Sequence, residues 1–467
     1  MSFESLLRAH PIVVSVQAAP DSPLCSPPLL LSLARASLAN GAAVLRLEGV
    51  EAIRVIREAT GAPTIGLIKR DFPDSPVYIT PTLREVEELV ATGCEAIALD
   101  ATRRPRPGGE RFDLLANRIR QGGALVFADC DTPDSVRHAL EGGADLVSTT
   151  LAGYTNDSPR MVGPDLEFLR RAVRLSDVPV LAEGRYVERS QVQAALRIGA
   201  VAVVMGGAVN DPVKQTRMFA EAVARPEGKV GAVDIGGTWL RFAEFDAAGR
   251  KLRTERVPLP RTRAARLAWI RARAAGVRRL GVSTGGTVDP STGRVVESKP
   301  TIPQNVGAEY SLVTLGVPTR ALNDGLASAW GHACHPRFAG LRVATLAIGT
   351  GVGCGLVTGQ RLHMGRQGDY PRLNDLPFEG GTVEDALGGG SGGLFQDPAR
   401  ARRAAEFVLQ TACAAWQPEV VVLCGAVGLA LADQVRVHGV KLVRSPYGED
   451  AGLFGAAALA LYPPDFA

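Results

Sequence analysis

Residues 229–250, KVGAVDIGGTWLRFAEFDAAGR, begin with an apolar run that leads into Asp234, Gly236, Gly237 and Thr238, and a second strand-like run follows. A glycine turn between two strands lets backbone amides approach a phosphate closely. Such a turn usually lies near the start of a domain, yet here it lies in the middle of the chain. The sequence therefore predicts that a second domain begins just before this turn.

The composition is that of an ordinary soluble protein. The 467 residues are 46% hydrophobic and 21% charged, with a net charge of +4. No stripe of lysine and arginine interleaved with aromatic residues supports a nucleic-acid partner. The seven cysteines are dispersed without a C-x-x-C pair, which is typical of buried thiols in a reducing compartment. Without a signal peptide, or an apolar run of about 18 residues, we expect a cytoplasmic enzyme that does not associate with a membrane.

Short apolar runs alternate with helical patterns in the first half of the chain. Strands of this kind favour parallel pairing through βα crossovers, and eight such units suit a closed (β/α)8 TIM barrel. An open, doubly wound sheet is the alternative, because a strand count does not establish closure. The pattern breaks at Pro226, so we predict domains at 1–226 and 227–467. The predicted strands span 12–17, 42–49, 64–69, 96–100, 124–129, 145–150, 178–184 and 201–207.

Nearly every predicted strand of the first domain ends in a polar residue or a glycine. Chemistry gathers at the carboxyl ends of barrel strands, although a single polar strand end is more often only solvated. Lys69 and Glu183 are candidates for proton transfer, since burial can bring a lysine pKa into range and a carboxylate can be its partner. Gly206 and Gly207, after the last strand, predict a phosphate grip through backbone amides. These features together predict a ligand like a sugar phosphate.

Six blocks of the first domain resemble the N-acetylmannosamine-6-phosphate 2-epimerase family over residues 10–220. The resemblance implies a barrel that inverts C2 of N-acetylmannosamine 6-phosphate, through an enolate and without a metal or redox cofactor. It implies that Lys69 and Glu183 are the catalytic pair, with the order of proton transfer open. A sugar phosphate without the acetamido group is the alternative substrate. The blocks are VSVQAAPDSPL, RLEGV, GLIKRDFPDSPVYITP, ALDATRRPRP, STTLAGYT and AEGRY.

The same resemblance implies which residues bind the sugar phosphate. Many members carry an arginine beside the phosphate where this chain has Asn210 and Asp211. It is therefore undecided which residue binds this part of the phosphate, and whether Arg217 replaces the arginine. The implied positions are Gln17, Arg46 and Asp129 for the sugar, and Arg185, Gly206 and Gly207 for the phosphate.

Three segments of the second domain occur together in sugar kinases of the actin-like ATPase architecture. They are the turn at Asp234, a second strand-turn-strand at 347–357, AIGTGVGCGLV, and Asn323 with Asp324 at the end of an apolar strand. Two glycine turns can clamp nucleotide phosphates from both sides. Alone, a glycine turn is a plain hairpin and Asn-Asp is usually a helix N-cap. Phosphoryl transfer needs positioning, Mg²⁺ and a base near the acceptor, so Asp324 is the candidate base and Asp234 would orient magnesium.

The second domain resembles the ROK family (repressors, open reading frames, kinases) over about residues 230–462, and this implies a two-lobed kinase fold. GVSTGGTVDPSTGRVV, PEVVVLCGAVGLA and SPYGEDAGLFGAAALA add to the resemblance. Beside an epimerase, it implies an N-acetylmannosamine kinase that uses ATP and Mg²⁺, with Asn323 and Glu384 at the sugar. The implied nucleotide positions are Asp234, Gly236, Gly237, Thr238, Gly349, Thr350, Gly351, Gly353 and Gly425.

One segment departs from the ROK pattern. The family commonly has a Glu-x-Gly-His block followed by a cysteine cluster that holds zinc, but residues 362–390 contain no cysteine. Their only histidine, His363, is out of register with the block. A structural zinc site needs about four nitrogen or sulfur ligands, so we predict none. Glu384 remains as a match to a glutamate that contacts the sugar.

These patterns lead to one hypothesis, a bifunctional enzyme of amino-sugar or sialic-acid catabolism that phosphorylates N-acetylmannosamine at O6 and then epimerises the product. The alternatives are an epimerase whose second half only binds sugar or nucleotide, or phosphorylates another hexose. A transcriptional regulator is disfavoured, because an α/β region stands where ROK repressors carry a helix-turn-helix. The expected partners are an amino sugar and a sugar phosphate. The oligomeric state is open, a homo-oligomer included.

Overall fold

The computed structural model describes residues 2–159, 161, 163–223, 227–298, 302–365 and 368–466. It divides into two compact units, Met1–Glu221 and Ala222–Ala467. The predicted boundary at residue 226 falls within 224–226, which lie outside the described residues. None of the described helices is long and apolar enough to cross a membrane.

Eight parallel strands form the centre of the N-terminal unit: β1 (Ile12–Val16), β2 (Val44–Glu48), β3 (Thr64–Leu67), β4 (Ala96–Asp100), β5 (Leu125–Asp129), β6 (Leu146–Ser148), β7 (Val180–Glu183) and β8 (Ala202–Met205). Each strand pairs with the next, and β1 also pairs with β8 through Ile12 and Val203, so the barrel is closed. The predicted (β/α)8 fold is confirmed. Closure makes the carboxyl ends of all the strands surround one point.

Helices accompany the barrel strands: α1 (Phe3–Ala9), α2 (Pro27–Ala39), α3 (Val50–Thr60), α4 (Leu83–Val90), α5 (Phe112–Gln121), α6 (Pro133–Glu141), α7 (Leu166–Leu175), α8 (Arg189–Ile198) and α9 (Pro212–Val223). Local sequence fixes their ends. Thr82 and Glu85 form a capping box at the start of α4, and α8 ends at Gly199, whose φ of 119° favours glycine. Apolar side chains form two buried clusters in this unit, one that includes Ile53 and Leu169 and one that includes Ile65 and Phe127.

Two larger sheets organise the C-terminal unit. The strands of this unit are β9 (Val230–Ile235), β10 (Trp239–Phe245), β11 (Lys251–Pro258), β12 (Arg279–Thr284), β13 (Thr287–Val288), β14 (Val295–Glu297), β15 (Thr319–Asn323), β16 (Val343–Ile348), β17 (Val352–Thr358), β18 (Arg361–Leu362), β19 (Pro377–Phe378), β20 (Gly381–Thr382), β21 (Val420–Cys424), β22 (Lys441–Arg444) and β23 (Asp465–Phe466). The first sheet has the order β11-β10-β9-β12-β15, and the second has β22-β21-β16-β17-β18-β23. In each sheet a hairpin with a glycine turn is joined by parallel strands, so the two sheets share a topology.

The helices of this unit are α10 (Arg263–Ala274), α11 (Leu312–Leu315), α12 (Asp324–Ala333), α13 (Val383–Leu387), α14 (Gly393–Gln396), α15 (Pro398–Trp416), α16 (Ala426–Leu431) and α17 (Ala451–Leu461). Helices α12 and α17 pack closely against each other. A Cβ on Gly331 would lie 2.8 Å from the Cα of Gly455, and a Cβ on Gly281 would lie 1.7 Å from the carbonyl oxygen of Ala456. A Cβ on Gly455 of α17 would likewise lie 2.4 Å from the carbonyl oxygen of Ala327, so glycine is required on both sides of this contact.

Candidate active sites

A cavity of about 240 Å³ lies at the carboxyl ends of the barrel strands. Glu183 ends β7, and Lys69 follows β3. Both side chains line this one cavity, together with Gln17 and Arg46. The closed topology therefore brings together a lysine and a glutamate that are far apart in the sequence.

Arg46 is the electrostatic centre of this site. Its side chain is 2% exposed; Nη2 donates to Asp129 Oδ2 at 2.6 Å, and Nη1 donates to Glu183 Oε2 at 2.5 Å. Burial lowers the pKa of Arg46, but Asp129 and Glu183 outweigh this and the net pKa is raised. Asp129 is fully buried and is not among the residues that line the cavity, so in this structure its contacts hold the arginine.

Each candidate proton-transfer group is held by its own partners. Glu183 accepts a second hydrogen bond from the hydroxyl of Thr150, at 2.9 Å. Burial raises the pKa of Glu183 above the usual carboxyl value, although Arg46 acts in the opposite direction. Lys69 Nζ donates to Gln17 Oε1 at 2.6 Å and to Glu48 Oε2 at 2.9 Å. Two fixed groups around one cavity suit proton transfer at a single bound carbon.

Arginine and glycine residues line a further part of the cavity. Arg185 has a positive φ of 59° and donates to the carbonyl oxygens of Ala152 and Gly163. Its buried Nη2 has no hydrogen-bond partner among the described residues. Gly206 and Gly207 also line the cavity. An anion is the ligand that suits a guanidinium group and glycine backbone amides lining one cavity.

Lys214 is a candidate to replace the arginine that many family members carry beside the phosphate. It is in the first turn of α9 and lines the cavity, and its Nζ lies 3.2 Å from where a Cβ on Gly207 would stand. Arg217 is not among the cavity-lining residues that the structure describes. Asn210 is buried, and its Nδ2 donates to the carbonyl oxygen of Ser15 instead. No sequence motif distinguishes Lys214, whose position depends on where α9 begins.

The second site is a cleft of about 650 Å³ in the C-terminal unit. The turns between β9 and β10 and between β16 and β17 both line it, and so does Gly425, which precedes α16 with a φ of 79°. A Cβ on Gly425 would lie 2.4 Å from the carbonyl oxygen of Ile348. The structure brings all the predicted nucleotide positions to this cleft, namely Asp234, Gly236, Gly237, Thr238, Gly349, Thr350, Gly351, Gly353 and Gly425.

Asp324 is the first residue of α12 and lines the cleft. Burial raises its pKa to about 7, and the carboxylates of Asp234 and Glu384 contribute to the increase. A Cβ on Gly353 would lie 3.1 Å from Asp324 Oδ1, so this glycine leaves room for the carboxylate. A carboxyl group with a pKa near neutrality is suited to accept a proton from a hydroxyl group.

The other predicted residues of the cleft have protein partners in this structure. The guanidinium of Arg241 donates to the Asp234 carboxylate, an ion pair that no sequence pattern predicted. Asn323 caps α12: its Oδ1 accepts from backbone N–H groups at the start of the helix, and its Nδ2 donates to the carbonyl oxygen of Gly286. Glu384 accepts from the backbone N–H of Val352, beside the second glycine turn.

Sequence reasoning missed several residues that line or support the two sites. In the barrel, Thr150 and Glu48 lie close after or at the ends of strands, so a wider search of strand ends would have found them. In the cleft, Tyr370 and Asn374 come from the segment that departs from the ROK pattern, where no motif was available. Over the part of the chain that the structure describes, no group of three or more His, Cys, Asp or Glu side chains could hold a metal ion.

Comparisons with known proteins assign different families to the two halves. Residues 30–225 match the NanE family, described as "Putative N-acetylmannosamine-6-phosphate epimerase", and residues 230–373 match the ROK family. The chain is 33% identical to the "Bifunctional enzyme NanE/NanK" of Brucella melitensis, and the alignment covers 96% of each chain.

Two solved structures each resemble one half of the chain. An N-acetylmannosamine-6-phosphate 2-epimerase from Clostridium perfringens is 40% identical, with 47% of this chain and 96% of that chain covered and a TM-score of 0.46. A ROK family glucokinase from Streptomyces griseus is 22% identical, with 50% and 99% covered and a TM-score of 0.44.

Proposed function

The chain belongs to the bifunctional NanE/NanK enzymes, and on that premise we propose that it phosphorylates N-acetylmannosamine and epimerises the product to N-acetylglucosamine 6-phosphate. The observation that carries the epimerase half is the single cavity lined by Lys69 and Glu183. The kinase half is supported by the cleft in which two glycine turns and Asp324 meet.

Epimerisation in the barrel acts on the open-chain sugar phosphate, whose C2 lies next to the aldehyde. One of Lys69 and Glu183 removes the C2 proton, and the C–H electrons form an enolate across C1 and C2. The other group returns a proton to the opposite face of C2, and the two roles exchange in the reverse reaction. Arg46, a cation that lines the same cavity, favours the negative charge that develops on the enolate oxygen.

The phosphate of this substrate would lie against Arg185, Lys214 and the backbone of Gly206 and Gly207. The Nη2 of Arg185, which has no partner in the described part of the chain, and the lysine beside Gly207 support this orientation. A phosphate held in this way would present C2 to the two proton-transfer groups in a fixed position. Binding a part of the substrate that does not react thus contributes to positioning the part that does.

In the C-terminal unit, Asp324 accepts the proton of the sugar O6 hydroxyl as this oxygen attacks the γ-phosphorus of ATP. The bond from that phosphorus to the β–γ bridging oxygen breaks, and ADP leaves. The glycine turns that contain Gly236 and Gly351 would hold the phosphates through backbone amides. The raised pKa of Asp324, caused first by burial, suits this role near neutral pH.

The charges of the cleft suit a magnesium ion. Asp234, Asp324 and Glu384 all line it, and the first and last of these carboxylates raise the pKa of Asp324. A divalent cation relieves that repulsion, and Mg²⁺ in phosphoryl-transfer sites is commonly held by one or two carboxylates with the substrate phosphates. Asp234, whose carboxylate is paired with Arg241 in this structure, would hold the ion, and the ion would neutralise charge on the transferred group.

One experiment tests both halves. The full chain is given N-acetylmannosamine and Mg-ATP in deuterium oxide, and the products are followed by NMR. We expect ADP and N-acetylglucosamine 6-phosphate that carries deuterium at C2, because two groups that exchange with solvent act on opposite faces. Formation of ADP without inversion at C2 would overturn the epimerase assignment, and no ADP with any hexosamine would overturn the kinase assignment.

A further inference from the structure

The kinase cleft contains a buried hydrogen-bond acceptor that the proposed function does not yet use. Asn374 lines the cleft and is 2% exposed, and its Oδ1 has no hydrogen-bond partner among the described residues. Its Nδ2 donates to Asp375 Oδ1 at 3.2 Å, which fixes the direction of the amide group. An unpaired buried acceptor is costly unless something else supplies a donor.

The segment that carries Asn374 is held firmly in place. Residues Leu373–Asp375 form a short 3-10 turn, and the thiol of Cys354 donates to the carbonyl oxygen of Pro371 at 2.7 Å. Arg372 forms an ion pair with Glu297. The position of Asn374 is therefore set by the fold, and movement of a loose loop does not explain its unpaired oxygen.

Asn323, which was predicted to contact the sugar, uses its side-chain amide in hydrogen bonds within the protein. The Oδ1 of Asn323 already accepts from the start of α12, and its Nδ2 donates to the carbonyl oxygen of Gly286. The match to the ROK family ends at residue 373, just before Asn374. Asn374 lies just outside that match, so the family pattern assigns it no role.

We infer that Asn374 is a sugar-binding residue of the kinase cleft, with Oδ1 accepting a hydrogen bond from a hydroxyl group or the amide N–H of the hexose. Tyr370 lines the same cleft. Burial, followed by the carboxylate of Asp324, raises the pKa of Tyr370 to about 12, so its hydroxyl stays protonated at neutral pH. This inference rests on the proposed kinase function for the identity of the ligand.

The test combines sugar binding with kinetics in the full chain. Asn374→Ala should raise both the KM for N-acetylmannosamine and its Kd, measured by calorimetry without nucleotide, by about 5- to 10-fold, as expected for one lost hydrogen bond. The KM for ATP and the melting temperature should stay close to the wild-type values. Glu379→Gln is the matched control, because Glu379 is exposed and pairs with Arg403 away from the cleft lining.

A second variant keeps the test decisive if Asn374→Ala folds poorly. Asn374→Gln keeps an amide that can donate to Asp375 but displaces the acceptor oxygen, and it should raise the sugar Kd above the wild-type value. 2-Deoxyglucose has no donor at C2 and therefore separates the two possible donors. If the increase in Kd caused by the Asn374 substitution disappears with this sugar, the donor is the group at C2. If the increase persists, the donor is a hydroxyl group elsewhere on the ring. Unchanged sugar Kd and KM in both variants would overturn the inference.

The failures of the two proposals are distinguishable. If the wild-type chain forms no ADP with any hexosamine, the kinase proposal fails, but calorimetry still reports whether Asn374 binds sugar. If the wild-type chain is an active kinase and Asn374→Ala leaves sugar affinity unchanged, only the assignment of Asn374 fails.

Discussion

The two sites differ in the charges that surround the proposed catalytic carboxylate. In the barrel, Arg46 is paired with Asp129 and Glu183, and Lys69 is paired with Glu48. In the C-terminal cleft, Asp234 is paired with Arg241, but the pKa of Asp324 rises to about 7 through burial and through the carboxylates of Asp234 and Glu384.

This difference matches the chemistry proposed for each site. Proton transfer at C2 needs groups already in position, and a network of paired charges provides fixed positions. Phosphoryl transfer brings its own charges, since Mg²⁺ and ATP enter together. We therefore expect the barrel site to depend on its internal pairs and the cleft to depend on the ligand that completes it.

The largest expected effect separates the two activities completely. Lys69→Ala should lower the rate of epimerisation by about 10²- to 10⁴-fold, the usual contribution of a proton-transfer group, while ADP formation continues. Coupled assays of both reactions on the same preparation measure this.

The matched control for Lys69→Ala is Asp324→Asn. It should show the opposite pattern, with ADP formation lost and epimerisation of added N-acetylmannosamine 6-phosphate retained. Full epimerase activity in Lys69→Ala would contradict the assignment of Lys69.

The buried ion pair of Arg46 and Asp129 should contribute more to the free energy of unfolding than an exposed ion pair. Asp129→Ala leaves the buried Arg46 without its main partner, and we expect a loss of about 3–5 kcal/mol in the free energy of unfolding. Urea denaturation followed by circular dichroism measures it. Asp134→Ala removes the partner of Arg103, where both side chains are more than half exposed, and should cost less than about 1 kcal/mol. Equal losses of unfolding free energy in the two variants would contradict the larger contribution expected of the buried pair.

The acidic cleft should give the kinase a dependence on pH. The base role proposed for Asp324 requires its ionised form, and burial raises its pKa to about 7. Because a bound Mg²⁺ ion places positive charge nearby and lowers that pKa, kcat/KM for the sugar should fall on the acidic side of a midpoint at or below about 7. The fall should approach about tenfold per pH unit. A rate that rises as the pH falls below this midpoint would contradict the role of Asp324 as a base.

The smallest expected effect concerns the phosphate in the barrel. Lys214→Ala should raise the KM for N-acetylmannosamine 6-phosphate by about 3- to 10-fold with little change in kcat, because an exposed lysine adds a modest charge-assisted contact. Arg217→Ala is the control and should leave KM unchanged. An effect of Arg217→Ala alone would mean that α9 presents a different residue to the phosphate.

Much of the fold could be predicted from patterns within single strands. The eight apolar runs match β1 to β8 within a few residues at each end. The strand count left closure open and only the family resemblance implied it, because closure depends on the pairing of Ile12 with Val203 across almost the whole unit. The shared topology of the two C-terminal sheets could not be read from the sequence either, because it depends on the order of strands and is not accompanied by a sequence repeat.

The candidate sites were predictable where a residue type and a strand end coincide. Lys69 and Glu183 satisfy both conditions, and the structure brings them to one cavity. Asp129 also ends a strand, but the fold turns it toward Arg46 and buries it. Lys214 and Asn374 follow no local rule, because their neighbours come from distant parts of the chain.

The sequence by itself determined the two families, the eight strand-helix units and the glycine turns, because each depends on short-range patterns of apolar residues and on the backbone freedom of glycine. Only the tertiary structure decided which charges are paired and how buried each one is. Those properties depend on distances between residues that lie far apart along the chain, and local sequence carries no measure of them.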